Sequence, residues 1–207
     1  MIDAKRTRRQ PTQARSRRTV ERILDAAEAI VGESGVDAAT TRAISERAGV
    51  SAPSLYRFFA DRDEILDSII QRGVRDLDAH AQAAESGWHV NTVDAFVRLE
   101  VDLHVTYYEQ HPIFVRLWFG GRASKPVVDE VRARNHTLAA RARAALIGAG
   151  LVEPDTPPDV FDMLVELGDR VLDVAFRDSP TADRRALDLG VAALTALLER
   201  WAIPARA

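Results

Sequence analysis

An all-α protein of about nine helices is the fold class this sequence predicts, on three observations. Apolar residues recur at three- and four-residue spacing along most of the chain, the pattern of one buried helical face. No segment alternates apolar and polar residues with the period of two expected of a half-buried strand. Gly, Pro and small capping residues stand between the periodic stretches, where helices stop and start. The 207 residues are 46% hydrophobic and 29% charged, enough apolar material for one large or two modest domains. The absence of Cys removes disulfides, thiolate metal sites and thiol catalysis together. No apolar run approaches the roughly 18 residues of a membrane span and no leader-like segment is present, so a soluble, cytoplasmic protein without a membrane role is expected.

Residues 1–17 are polar and basic without apolar periodicity and are expected to form a flexible arm. A helix begins near Thr19 and Val20. Its stripe is Val20, Ile23, Leu24, Ala27, Ile30 and Val31, and Gly35 ends it. Two short helices follow, one over about 41–47 and one from Ser51 to the aromatic pair Phe58 and Phe59, joined across Ala48, Gly49 and Val50. Asp61, with Glu64 three residues on, caps a long helix that reaches about residue 84 and carries Ile65, Leu66, Ile69, Ile70, Val74 and Leu77 on one stripe. Residues 85–89 break it. Asn91 then caps a helix to about residue 110, and Pro112 starts a short aromatic segment. Ser124 opens a helix to about residue 147 with Val128, Val131, Asn135, Leu138, Ala142 and Leu146 on one face. Thr156 and Pro157 fit a cap and first position for a helix over about 159–177, and a last helix spans about 181–202 after Ser179 and Pro180.

The two short helices carry the sharpest local signal. A turn of three or four residues containing Gly between short helices is the pattern of a helix-turn-helix, whose second helix lies in the DNA major groove. Ile44, Ala48, Val50 and Leu55 can close an apolar wedge that fixes the crossing angle. Ser51 is a good N-cap, and Pro53 falls in the first turn, where a missing N–H is tolerated. Ala52, Ser54 and Arg57 remain outward, small or cationic, as close approach to base edges requires. By spacing alone, an ordinary helical corner with Gly at its C-cap fits equally well.

The residues themselves go further. TTRAISERAGVSAPSLYRFF followed by ADRDEIL resembles the N-terminal domain of TetR-type transcriptional regulators, through Thr41, Ile44, Ala48, Gly49, Val50, Ser51, Leu55, Tyr56, Phe59 and the charged Asp61-Arg62-Asp63-Glu64. The resemblance covers roughly residues 18–68 and implies a three-helix DNA-binding domain whose fourth helix opens with that charged segment. The position before Phe59, often His in this family, is Phe58 here, which weakens a phosphate contact from that side chain. Phosphate contacts are assigned to Thr41, Tyr56 and Arg62. Ala52, Ser54 and Arg57 are the candidates at the base edges, with Arg42 reaching in from the preceding helix, and Ser51 is counted with them as a DNA-binding residue.

A net charge of −3 looks wrong for a DNA-binding protein until it is divided. Residues 1–22 hold Lys5, Arg6, Arg8, Arg9, Arg15, Arg17, Arg18 and Arg22 against Asp3 and Glu21, a net +6, so the remaining 185 residues carry −9. A charge run of this kind is either a solvated tail or, beside a helix-turn-helix, an arm that reaches phosphates or a groove.

In the helix after Asn91, Val93, Val97, Val101 and Tyr108 share a face, with Glu100 and His104 in its middle. This pair reads in two ways: mutually satisfied within a core, or lining a small-molecule cavity and orienting a ligand. Asn135 and Arg170 are further polar candidates, and Tyr107, Tyr108, Phe114, Trp118 and Phe119 supply an aromatic wall. The spacing offers no metal-ligand set, no nucleophile elbow and no phosphate loop, so neither cofactor nor enzymatic activity is expected. The last two helices are apolar around more than the ~100° stripe that one-sided packing needs. Asp162, Glu166, Asp169 and Asp173 form a narrow acidic stripe on the first, and Gly168 and Gly190 suggest close helix approach. Two-sided burial fits either a larger monomer core or a homodimer through helices 159–177 and 181–202; the family resemblance implies the dimer, as a four-helix bundle.

The resulting expectation is a flexible arm (1–17), a helix-turn-helix DNA-binding domain (18–64) and a C-terminal helical ligand-binding and dimerisation domain (65–207). Together they make a homodimeric, effector-responsive regulator of a pseudo-palindromic double-stranded operator, a repressor in the first reading. An activator of the same fold, or a small-molecule binding module without a DNA role, are the alternatives. Operator binding should weaken steeply with salt, and deletion of residues 1–17 should flatten that slope in a salt titration; an unchanged slope takes the arm out of the interface.

Overall fold

The computed structural model describes residues 10–85 and 89–204. Within them the protein is all-α: nine α-helices, one 3-10 turn and a single isolated β-bridge among the described residues. None of these helices is long and apolar enough to cross a membrane. The chain divides into two compact units, residues 1–70 and 71–207.

The first unit holds α1 (Gln10–Ser34), the 3-10 turn Val36–Ala38, α2 (Thr41–Ala48), α3 (Ala52–Tyr56) and the first turns of α4 (Arg62–Glu85). Helix α1 begins at Gln10, well before the Thr19 start expected from apolar periodicity. Its first turns are polar, but Gln, Ala and Arg are good helix formers and Pro11 sits in the first turn. Periodicity detects a buried stripe, and a solvated helical extension has none. The remaining residues of the expected arm, 1–9, lie outside the described residues. Ile23, Ala27 and Val31 on α1 are completely buried, as are Ile44 on α2 and Leu55 on α3. Gly35 ends α1 at φ +83° and Gly49 ends α2 at φ +62°, both in the left-handed region that favours glycine.

The second unit contains the rest of α4 with α5 (Val93–Gln110), α6 (Pro112–Phe119), α7 (Lys125–Gly148), α8 (Pro158–Phe176) and α9 (Arg184–Glu199). Helix α8 packs between α7 and α9, and α5 packs on α9. Leu117, Leu146, Phe161 and Leu198 are completely buried at the centre. Val152 pairs with Ala202 in the isolated bridge, which ties the α7–α8 loop to the segment after α9.

Three further helix starts differ from those expected, two of them because a better-placed side chain takes the cap. The side chain of Thr92, not Asn91, accepts the amide of Ala95 at the start of α5. At α8 the chain enters through Pro157, with Pro158 in the first turn. Thr156 is instead completely buried, its hydroxyl donating to the carbonyl of Glu153 at 2.6 Å. Helix α9 begins after Asp183, whose carboxylate accepts the amides of Arg185 and Ala186, three residues past the expected start at residue 181. The break expected at 85–89 falls largely on residues 86–88, outside the described residues.

Two glycines mark close helix approaches. A Cβ on Gly190 of α9 would overlap Val171 of α8, and one on Gly73 of α4 would overlap the ring of Phe114 of α6. Gly168, expected to mark a similar approach, has no atom within 4 Å of where its Cβ would be. Gly73→Ala should therefore lower stability by about 1–3 kcal/mol through overpacking. Gly168→Ala should raise it by about 0.5–1 kcal/mol through helix propensity. Urea unfolding of the two variants checks both signs.

Candidate functional site

The first candidate surface is built on α2 and α3. The side chain of Thr40 caps α2 by accepting the amide of Ala43 at 3.2 Å, and Ser51 caps α3 by accepting the amide of Ser54 at 3.3 Å. Ser51 thus serves α3 before it serves any partner. Arg22, counted with the basic N-terminal run, turns inward: its Nη2 donates to the carbonyls of Ala48 and Gly49, the C-terminal end of α2.

With the corner fixed in this way, Ala52, Tyr56 and Arg57 stand exposed on α3 and its C-cap, and Ser54 is half-buried. The hydroxyls of Thr41 and Tyr56 lie 3.1 Å apart, so the first residue of α2 and the last of α3 present two hydroxyls at one place. Tyr56 is 54% exposed, more than is usual for so large a side chain. Arg57 lies over the ring of Phe58, 4.7 Å from its centroid, which restrains the guanidinium without consuming its hydrogen-bond donors. Arg42 is exposed and pairs with Glu46 one turn on. Arg62 is less free than its position suggested. It stands 3.8 Å from Asp63 and 4.0 Å from Asp37, and its Nε is buried with no hydrogen-bond partner.

The second candidate is a cavity of about 620 Å³ within the C-terminal unit, walled by α4, α5, α7, α8 and α9. Three of the expected ligand residues line it: Glu100, His104 and Tyr108. His104 does not pair with the Glu100 side chain as an i, i+4 carboxylate–imidazole pair. Its Nδ1 lies 2.8 Å from the backbone carbonyl of Glu100. Since a carbonyl only accepts, the proton sits on Nδ1 and Nε2 carries a lone pair. Burial pushes the ring's pKa down, which keeps it neutral.

The aromatic candidates divide. Tyr108 is buried among edge-on rings of Phe114, Phe119 and Phe176, with centroids 5.6–5.8 Å away. Burial, and then the charge of Asp169, pushes its pKa up, so its hydroxyl keeps its proton. Tyr107 points away from the cavity. It stacks on His111 with centroids 3.9 Å apart, and its hydroxyl donates to the carbonyl of Gly73 at 2.9 Å. Phe114 and Phe119 stand behind Tyr108, and neither they nor Trp118 line the cavity.

Asn135 acts from behind the wall. Its Nδ2 donates to Asp169 Oδ2 at 2.7 Å, and its Oδ1 accepts from Arg134 Nη1 at 3.3 Å. Arg134 in turn donates through Nε to Asp78 of α4 at 2.6 Å. The result is a chain, Asp78–Arg134–Asn135–Asp169, that runs from α4 through α7 to α8 along the polar side of the cavity. Burial pushes the pKa of Asp169 up to about 6 against the opposing pull of Asn135. Arg170 is not brought to this site: it is exposed and pairs with Asp173 on its own helix.

Asp169, Arg134 and Arg141 were missed from the sequence as lining residues. The available signal was their spacing, since Arg134, Leu138 and Arg141 recur at four and three residues along α7. Among the described residues, no group of three His, Asp or Glu side chains could hold a metal ion.

The family model for "Bacterial regulatory proteins, tetR family" matches residues 23–69, which covers α2, α3 and the start of α4. The transcriptional repressor KstR of Mycolicibacterium smegmatis is 40% identical over 64 residues, 31% of each chain. The transcriptional repressor DrrR1 of Streptomyces coeruleorubidus is 26% identical over 110 residues, 53% of this chain and 37% of that one. The matched stretch thus spans about a third of the length of these curated relatives. Over nearly the full length, a TetR-family regulator from Streptomyces coelicolor superimposes with a TM-score of 0.64 at 26% identity, covering 88% of this chain and 99% of that one. Residues 23–69, with the helix-turn-helix corner, thus match the model of the TetR family of bacterial regulatory proteins, and the described helices have the fold of a TetR-family regulator.

Proposed function

We propose that this protein is a homodimeric, effector-responsive repressor that binds a pseudo-palindromic operator. The observation that carries the reading is the outer face of the α2–α3 corner. It is capped from within by Thr40, Ser51 and Arg22 and leaves Ala52, Tyr56 and Arg57 outward. Two hydroxyls 3.1 Å apart, of Thr41 and Tyr56, suit a shared phosphate oxygen, which fixes register. Arg57, steadied by Phe58, suits a guanine edge in the major groove. Ser54, Arg42 and Arg62 complete the contact set, with the basic residues of 1–17 adding affinity.

Dimerisation is supported by apolar side chains left uncovered on the two C-terminal helices. Met163, Leu167 and Val174 of α8 are 41–52% exposed, and Leu189 of α9 is 66% exposed. A second copy of the same surface would cover them, as an isologous interface requires. The cavity is the effector site, with Glu100, His104 and Tyr108 at its polar end. Effector binding reaches the DNA-binding unit through α4, a single helix that carries Arg62 at its start and Asp78 of the buried polar chain farther along. Only differential affinity for two arrangements of α4 makes the effector a signal.

A gel shift against the DNA flanking the protein's own gene tests the reading: a sequence-specific shift supports it, and none returns the protein to a binding module without a DNA role. Reporter transcription from that promoter separates repression from activation. Arg57→Ala should relax sequence preference, with a cost of about 1–3 kcal/mol on the best site, whereas Arg62→Ala should weaken all sequences alike. Measured affinities showing the reverse would mean that α3 is rotated in the groove. Leu167→Glu with Leu189→Glu should convert a dimer, twice the 22.9 kDa chain mass by light scattering, into a monomer.

A further inference from the structure

Two polar atoms of α5 reach the cavity without a protein partner. His104 spends its Nδ1 proton on the backbone carbonyl of Glu100, and its Nε2 has no hydrogen-bond partner among the described residues. The Tyr108 hydroxyl has none either; its ring is held by edge contacts with His104, Phe114, Phe119 and Phe176. Among the described residues, Arg62 Nε is the one side-chain nitrogen or oxygen sealed from open space without a partner. His104 Nε2 and the Tyr108 hydroxyl therefore open on free space. Both side chains lie in the interior of the unit and line the cavity, so that space is the cavity. The two residues are one helical turn apart, with ring centroids 6.0 Å from each other and the rings nearly perpendicular. Burial keeps the imidazole neutral and the phenol protonated, which sets an acceptor beside a donor.

We propose that the cavity takes an apolar molecule whose polar end is a neutral hydroxyl, which donates to His104 Nε2 and accepts the proton of Tyr108. The inference rests on the reading of the cavity as the effector site and gives that site its ligand chemistry. A hydroxyl both donates and accepts through one oxygen. An ether or ketone oxygen accepts from Tyr108 but leaves Nε2 without a donor. A carboxylate does the same, and an ammonium supplies Nε2 with a donor but gives the Tyr108 proton no acceptor. Each mismatch leaves one polar atom unpaired in a site that the ligand has closed to water, a penalty the hydroxyl avoids. The match depends on these two atoms alone and not on how the charged side chains of the wall are paired. Leu77, Phe96, Val97, Val101, Leu164 and Leu172 face the apolar body, and about 620 Å³ accommodates a skeleton of drug-like size.

The test uses the full chain and four probes on one skeleton: 1-decanol, 1-methoxydecane, decylamine and decanoate, titrated calorimetrically within their soluble range. Decanol should bind about five-fold or more tighter than each of the others. His104→Phe should remove the advantage of the alcohol over the ether, because only the alcohol donates to Nε2. Tyr108→Phe keeps the ring among its aromatic neighbours and should weaken alcohol and ether alike, by about three- to ten-fold, with their ratio intact. An ether or ionic probe that binds as tightly as decanol, an alcohol advantage that survives His104→Phe, an ether affinity untouched by Tyr108→Phe, or no binding of any probe would each overturn the proposal. If His104→Phe does not fold, the ranking on the unsubstituted protein and the Tyr108→Phe result decide. A parallel gel shift without probes keeps the two readings apart, since DNA binding can stand while alcohol selectivity fails, and alcohol selectivity can stand while DNA binding fails.

Discussion

Charge taken out of water must find a partner, and in the C-terminal unit that requirement organises three helices at once. Arg134 of α7 faces Asp78 of α4 on one side and Asn135 on the other, and Asn135 passes the hydrogen bonding on to Asp169 of α8. Removing any one member leaves a half-buried polar group without its partner, which costs more than the bond itself contributes. The chain therefore fixes how α4, α7 and α8 are set against one another around the cavity. Apolar packing of Leu77, Leu138 and Leu164 alone would tolerate sliding. It also means that anything competing for Asp169 competes with Asn135, and so acts on the partners of α4.

The same requirement changes part of the expected arrangement of α8. Its acidic residues Asp162, Glu166, Asp169 and Asp173 look in sequence like a narrow wet stripe on an apolar helix. In the structure three of them meet polar partners, Asp162 with His136 of α7 at 2.6 Å, Asp169 with Asn135, and Asp173 with Arg170 and Arg177, while Glu166 stays exposed. Three apolar positions, Met163, Leu167 and Val174, are exposed beside Glu166 and Arg170. A helical wheel counts polar and apolar residues but not whether a polar residue has a partner on the next helix. The excess of apolar surface on α8 and α9 was legible, and the side on which it would be left uncovered was not.

The N-terminal corner was read more closely because its determinants are local. Thr40, Gly49 and Ser51 act within a few residues of where they stand, through a cap, a left-handed turn and a second cap, so the sequence order contains their geometry. The longer-range part was missed. Arg22 is 26 residues from Ala48, and nothing in a basic run says which arginine will cap a distant helix. The cavity shows the same division. Glu100 and His104 share a helical face and were legible as neighbours, whereas Arg134 and Asp169 come from two other helices and meet them only once the fold exists.

The titration of Asp169 shows what this arrangement costs. Its folded pKa of about 6 lies above the value of 3.8 that the carboxyl has when solvated. As pH rises through that window the unfolded chain releases this proton first and the folded protein holds it. Stability therefore falls across the interval, by about 3 kcal/mol for a shift of roughly two units, and the loss persists at neutral pH. A leucine or asparagine would avoid it, so packing alone gives no reason for a carboxylate here. A bound cation reverses the sign: it favours the ionised form, returns the pKa toward the solvated value and recovers the stability lost. The cost comes from burial of the carboxyl, and the hydrogen bond from Asn135 and the charge of Arg134 offset it only in part.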